Sequence, residues 1–268
     1  SAMSLVVRTR LEPLSAKRLK FTLELVDDDT PWQRDSVECL RRALLKLPCA
    51  TLYPELTAKA IKIFAKWRAR FPDHVWHRFT KVPQTAAFGA PRVCKEFNES
   101  CPVLEDVLEW LRGRENATVI DLCSGFGFFS MFLAELAPAG CLREIVLVDS
   151  DWPNPSAQCT GALSTEHLSA ECGTWAVPLY SLKKDIKKGS DLRGIARHII
   201  GDTANGGAHP TFIAAIHLCG TLSLRAVQLY NECAALGACG FALAPCCLPP
   251  AAKVKRPVRT DNGGIRRW

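Results

Sequence analysis

The sequence predicts an α/β protein, an open parallel sheet with helices on both faces, preceded by a small α+β N-terminal region. Three observations lead there. Residues 117–130, Ala-Thr-Val-Ile-Asp-Leu-Cys-Ser-Gly-Phe-Gly-Phe-Phe-Ser, read as a strand, a tight glycine turn and a helix. Further apolar runs then alternate with helix-like stretches, the βαβ order that builds a parallel sheet. Each run also closes on a side chain capable of chemistry: Asp121, Asp149, Asp185, His217 and Cys246. Ligands of open α/β sheets bind beyond the carboxyl ends of the strands, so these five residues are expected along one crevice.

The glycine turn comes first. The strand Val119-Ile120 ends at Asp121, and Leu122-Cys123-Ser124 lead to Gly125 and Gly127. Glycines there let backbone approach a ligand where a Cβ would collide with it. From Phe128 to Leu136 the pattern is helical. The next strand, from Glu144 to Asp149, ends in an acid about 20 residues past the turn, the spacing of a carboxylate that binds a ribose diol. Two carboxylates, Asp121 and Asp149, would repel a pyrophosphate. They suit a cationic ligand carrying an amino group and a ribose, and S-adenosylmethionine (SAM) is such a ligand.

The third strand is read from Trp175 to Leu182, followed by Lys183-Lys184-Asp185 and a helix over 191–199. Gly201-Asp202 and an Asn-Gly-Gly loop come next. The fourth strand runs from Thr211 to His217 and on into Leu218-Cys219-Gly220. A helix over 223–236 follows, then a fifth strand from Gly240 to Ala244 and Pro245-Cys246-Cys247.

The D-x-x-x-G-x-G turn followed by an acid-terminated strand resembles class I SAM-dependent methyltransferases, whose sheet is Rossmann-like. His-Leu-Cys-Gly after strand four and Pro-Cys-Cys after strand five are similar to the methyltransferase-like group that includes tRNA ribose 2′-O-methyltransferases. The resemblance covers about residues 90–250. It implies SAM as cofactor, held by Asp121, Cys123, Ser124, Gly125, Gly127, Asp149, Ser150, Asp185, His217 and Leu218. Asp185 would take the adenine amino group, and Lys95-Glu96-Phe97 lies where such enzymes fold a segment over the cofactor. RNA, tRNA foremost, is the implied substrate; a protein methyltransferase or an inactive SAM-fold interaction module are the alternatives.

Methyl transfer needs alignment of donor and acceptor and, for some acceptors, removal of a proton. His217 and Asp202 are candidates for that base, His217 preferred because imidazole titrates near neutrality. Cys246, beside a proline, is a candidate nucleophile of the kind that attacks a pyrimidine. His217, Cys219, Cys246 and Cys247 also form a zinc-type donor set, but their spacing is not that of a zinc finger and no metal is assigned.

Upstream, residues 5–11 and 18–26 read as a β-hairpin. Thr30-Pro31 reads as a helix start, with Val37, Leu40, Leu44 and Leu47 at helical spacing up to Pro48. After Pro54, Leu56, Ala60, Ile63, Phe64 and Trp67 form an apolar stripe, with Lys59, Lys62, Lys66 and Arg70 as a basic side. Trp76, His77, Phe79 and Phe88 are expected to pack on the core. A helix capped by Ser100, with Pro102 in its first turn, leads to the glycine-turn strand. The organisation is a basic module over 1–90, a SAM-binding domain over 91–250 and a basic tail over 251–268.

Charge follows that division. Residues 1–115 hold 20 Lys/Arg against 15 Asp/Glu, residues 116–250 hold 8 against 11, and the tail holds 6 against 1. Basic flanks on an acidic core fit a polyanionic partner such as RNA, reached through the N-terminal helix and the tail. No apolar run approaches the ~20 residues that span a bilayer, so no membrane partner is expected. The 13 cysteines form no regular framework, which fits a reducing cytoplasmic or nuclear compartment.

Overall fold

A computed structural model of the chain describes residues 36–82, 89–153, 163–169, 172–204, 209–218, 220–234, 239–245, 258–259 and 265–266. The expected hairpin, Phe88, Cys219, Cys246, Cys247 and the Asn-Gly-Gly loop lie outside them. Five parallel strands form one sheet in the order β3-β2-β1-β4-β5, the Rossmann-like order that places β1 at the centre. They are β1 (Ala117–Leu122), β2 (Leu142–Asp149), β3 (Leu179–Lys183), β4 (Thr211–Ile216) and β5 (Cys239–Ala244). A separate pair, β6 (Val258–Arg259) and β7 (Ile265–Arg266), is antiparallel.

Every residue of β1 and β4 is buried, because both faces of the sheet are covered. That is why these strands read as continuous apolar runs and not as alternating ones. Alternate residues still go to opposite faces. Val119, Leu147, Phe212 and Ala214 join the core under α5 (Arg92–Trp110) and α6 (Phe128–Leu136). Ile120, Val146, Val148 and Ile213 join the core under α7 (Gly189–Ala204) and α8 (Leu222–Ala234).

The N-terminal helices α1 (Val37–Leu45), α2 (Cys49–Leu52), α3 (Pro54–Arg70) and α4 (Asp73–Thr80) belong to the first of these cores. The stripe expected on α3 is buried as read, from Leu56 to Trp67. Trp67 and Phe97 both pack on Phe132 of α6, at centroid distances of 4.8 Å. Residues 33–268 form one compact unit, and a division at residue 90 would fall between α4 and α5, which pack together.

Several boundaries differ from the sequence reading. The first described helix is capped by Ser36, whose hydroxyl accepts from the Cys39 N–H at 3.1 Å; Thr30 and Pro31, read as a helix start, lie outside the described residues. The helix expected from Ser100 begins at Arg92, and Pro102 lies inside it. Burial of Val93, Cys94 and Phe97 holds the first two turns helical, although proline removes one of their hydrogen bonds. Strand β3 begins four residues late. Trp175 lies against the Arg70 guanidinium, 4.0 Å from its centroid, and Pro178 bonds β2 only through its carbonyl, which accepts from Ile145 N–H at 2.9 Å. Helix α4 was not expected; its Trp76 and Phe79 are buried, as the packing expectation required, whereas His77 is exposed.

The basic side of α3 also divides. Lys66 is paired with Glu135 of α6 at 2.5 Å. Arg70 donates to the carbonyls of Cys172 and Gly173 at 2.5 and 2.6 Å. Both are anchors between segments of the fold. Lys59 and Lys62 remain exposed.

Candidate functional site

The carboxyl edge of the sheet is shaped by an unusual backbone. At the end of β1, Cys123 has φ 55°, Gly125 53° and Gly127 81°; at the end of β4, His217 has φ 60°. Two non-glycine residues in left-handed conformation on adjacent strand ends mark a site where the fold imposes the geometry. Gly125 and Gly127 need their glycine for different reasons. A Cβ on Gly127 would come 2.4 Å from Leu147 Cδ2, whereas one on Gly125 would meet nothing within 4 Å. Gly127 is required by packing of helix on strand, and Gly125 leaves open space above the turn. Gly127→Ala is expected to destabilise the protein by about 2 kcal/mol, from left-handed strain plus overpacking. Chemical denaturation checks this, and adding Leu147→Ala should relieve only the overpacking part.

Above the turn lies a crevice of about 330 Å³. Its floor is Asp121, Cys123, Ser124 and Gly125; His217 stands at one side, and Phe126 with Phe128 forms an aromatic wall. Asp121 is 2% exposed, and its carboxylate accepts from the Ser130 hydroxyl at 2.7 Å. Burial pushes its pKa up to about 7, with the Asp149 charge acting in the same direction. Cys123 is pushed up to about 12 by burial and by the carboxylates of Asp149, Asp121 and Asp185. Its thiol is therefore inert as a nucleophile.

Asp149 holds the turn in place. One carboxylate oxygen accepts from the Gly125 N–H at 3.0 Å and the other from the Asp151 N–H at 2.9 Å. Ser124 accepts from the indole of the fully buried Trp152 at 3.1 Å. On the aromatic wall, His167 is fully buried, lies flat on Phe126 at 4.2 Å, and donates from Nε2 to the Phe126 carbonyl at 2.9 Å. Burial lowers its pKa to about 4.

His217 Nε2 lies 2.9 Å from Glu99 Oε2 and 3.8 Å from Glu96 Oε2. The Glu99 carboxylate raises the His217 pKa above the ordinary imidazole value, against the effect of burial. Glu99 in turn is paired with Lys95 at 2.6 Å. Against the opposing effect of burial, His217 and Lys95 hold its carboxyl below the usual range.

The structure thus gathers Asp121, Cys123, Ser124, Gly125 and His217 at the crevice, with Gly127 and Asp149 supporting its floor. Other sequence candidates fall elsewhere. Leu218 is completely buried in the core beneath α7 and α8, so its side chain faces away from the crevice. Ser150 is exposed and bonds to Asp151 at 3.3 Å. Asp185 lies just past β3 and accepts from the Lys187 N–H at 3.0 Å, closing a turn. Asp202 is a correction. It lies in the last turn of α7, a helix that starts after the carboxyl end of β3 and runs back to the start of β4. Asp202 is therefore placed toward the opposite edge of the sheet, away from the crevice. Cys246 falls outside the described residues.

Sequence reasoning missed Arg92 and Ser100 of α5 as site residues; they line the crevice together with Glu96, which the resemblance had placed over the cofactor. The three recur every fourth residue, so they form one stripe of a helix. That signal was hidden by starting the helix at Ser100. Among the described residues no helix is long and apolar enough to cross a membrane, and eight described cysteines are free thiols. No protein-family model matches the sequence, and no curated protein matches it.

Proposed function

We propose that the protein is a SAM-dependent methyltransferase acting on RNA, with tRNA as the first substrate to test. The observation that carries this reading is a buried acid, Asp121, beneath an open glycine turn, in a crevice whose floor is acidic. A buried carboxyl whose pKa is raised to about 7 is costly to ionise in the free protein, and a cationic ligand removes that cost. Space above Gly125 allows close backbone approach. Asp149 uses one lone pair of each carboxylate oxygen on the turn and keeps others for a ribose diol. These residues fit SAM, which when bound supplies an activated methyl group on a sulfonium.

The chain's own residues would do the rest. Asp121 receives the positive end of the donor, and Phe126 with Phe128 keeps water from one side. Of the candidate bases, His217 is the one that lines the crevice, where it can take a proton from an acceptor. Lys59 and Lys62 on α3, with the basic tail, supply positive charge for a phosphate backbone. A rival reading as a protein methyltransferase would predict modification of a peptide with no dependence on salt-sensitive RNA binding.

The test is a thermal shift with SAM and with S-adenosylhomocysteine, on wild type and Asp149→Ala. Mass action predicts stabilisation of about 2–3 kcal/mol at a hundredfold excess over Kd, seen as a rise of several degrees. Asp149→Ala should remove most of it. No shift with either ligand overturns the proposal. RNA retention that weakens steeply with salt separates an RNA substrate from a protein one.

A further inference from the structure

We infer that Glu96, Glu99 and His217 form a divalent-cation site on the wall of the crevice. Glu96 and Glu99 stand three residues apart on α5 and so share a face of the helix. His217 reaches them from the end of β4. One donor atom from each lies within 4.8 Å of the others. The His217–Glu99 separation of 2.9 Å is that of neighbouring ligands around an octahedral ion, about 3.0 Å apart for bonds of ~2.1 Å. The 3.8 Å to Glu96 closes with a small carboxylate rotation. All three side chains are half-buried, between 28% and 33% exposed, so an ion would be partly desolvated yet keep open positions.

The set is more than a group of acids. It pairs two carboxylates with an imidazole from a separate element, and Glu96 and His217 both line the 330 Å³ crevice, so the open positions face a ligand-sized space. The imidazole is held there by the strand-end backbone of β4, at φ 60°. Two carboxylates and a neutral imidazole carry a charge of −2, which a divalent ion neutralises. Oxygen-rich sites with one imidazole suit Mn2+ among first-row ions, with Mg2+ held more weakly. In the free protein the countercharge is Lys95, whose ammonium is 2.6 Å from Glu99 and 3.5 Å from Glu96. Its flexible stem can swing to solvent, so Lys95 acts as a competitor for the site.

The ion's binding stands on these contacts, whereas its role rests on the methyl-transfer reading. In that role it would hold the acceptor hydroxyl oxygen and lower its pKa. The hydroxyl proton leaves to solvent, the oxygen bonds to the methyl carbon, and the carbon–sulfur bond breaks with its electron pair on sulfur. His217 is then a ligand and not the base.

Mn2+ binding to the full chain, followed by electron paramagnetic resonance and calorimetry in the absence of SAM, tests the site. One equivalent should bind, with Mg2+ competing. Glu99→Gln and His217→Ala should each weaken binding about tenfold or more, while Lys95→Met, which removes the competing ammonium, should strengthen it several-fold. No saturable binding by wild type or Lys95→Met overturns the site and leaves His217 as base. Binding insensitive to all three substitutions also overturns it, since the ion then sits elsewhere. Because SAM is absent, failure here is separate from failure of the thermal-shift experiment.

Discussion

Asp121→Asn is expected to raise the melting temperature of the free protein by several degrees at pH 8, by less than half as much at pH 5, and hardly at all below about pH 3.8. The folded pKa of Asp121 is raised to about 7 from 3.8, chiefly by burial. A raised carboxyl contributes stability below the unfolded value and loses it as pH rises through the folded one. Above pH 7 the ionised group is thus a cost of roughly 3–4 kcal/mol on the folded state. Asparagine removes the ionisation and can still accept from the Ser130 hydroxyl. At pH 5 the unfolded side chain is already ionised while the folded one is still protonated, so part of the cost is present and a smaller gain remains.

The same substitution is expected to lower affinity for SAM about a hundredfold, because it removes the charge that meets the donor's cation. Binding to wild type near pH 6.5 should release a proton from Asp121, measurable by calorimetry in buffers of different ionisation heat. A variant as unstable as wild type at pH 8, or one that binds SAM equally well, would refute this account of the site.

The second large effect concerns His167. Its folded pKa is lowered to about 4 from 6.5 by burial, with Arg78 lowering it further and Glu166 opposing. It is therefore neutral in the fold and protonated first in the unfolded chain. The stability it contributes is complete above about pH 6.5 and is lost as pH falls toward about 4. A shift of that size corresponds to roughly 3 kcal/mol. His167→Phe keeps a ring on Phe126 and removes the titration. The stability difference between wild type and variant should slope downward between pH 6.5 and 4 and level off below. A flat difference across that window would mean that His167 is hydrated in the folded state. Asp121 acts in the opposite sense over an overlapping range, so each contribution has to be read from its own variant.

Both residues tie stability to the crevice. Asp121 is destabilising at the place where we propose that it meets a ligand, the usual mark of a functional group held against its preference. His167 is stabilising because it fixes Phe126, the residue between the two glycines of the turn.

The sheet was legible because its signals are local. Val119-Ile120, Ile145 to Val148 and Phe212 to Ile216 are apolar runs closed by Asp121, Asp149 and His217, and α6 was read to the residue. The glycine turn, Asp121 and Asp149 were legible for the same reason, since a turn that must admit a helix packed on a strand leaves no choice at Gly127.

The N-terminal half was harder to read. Ser36 is one of several capping residues in this stretch, and packing of Leu40 and Leu44 supports the helix that begins after it. Ser100 followed by Pro102 imitates a helix start, yet burial of Val93, Cys94 and Phe97 outweighs the proline. That single misplacement hid Arg92 and Glu99.

What the sequence by itself determined is the order of strands and helices and the identity of the residues at the strand ends, because periodicity and turn chemistry act over a few neighbours. Only the tertiary structure decided which of those residues share a site. It sent Asp202 to the far edge, turned Leu218 into the core, gave Arg70 and Lys66 structural partners, and brought α5 against His217. Each of those outcomes depends on contacts between residues far apart in the chain, and no local pattern encodes the distance between them.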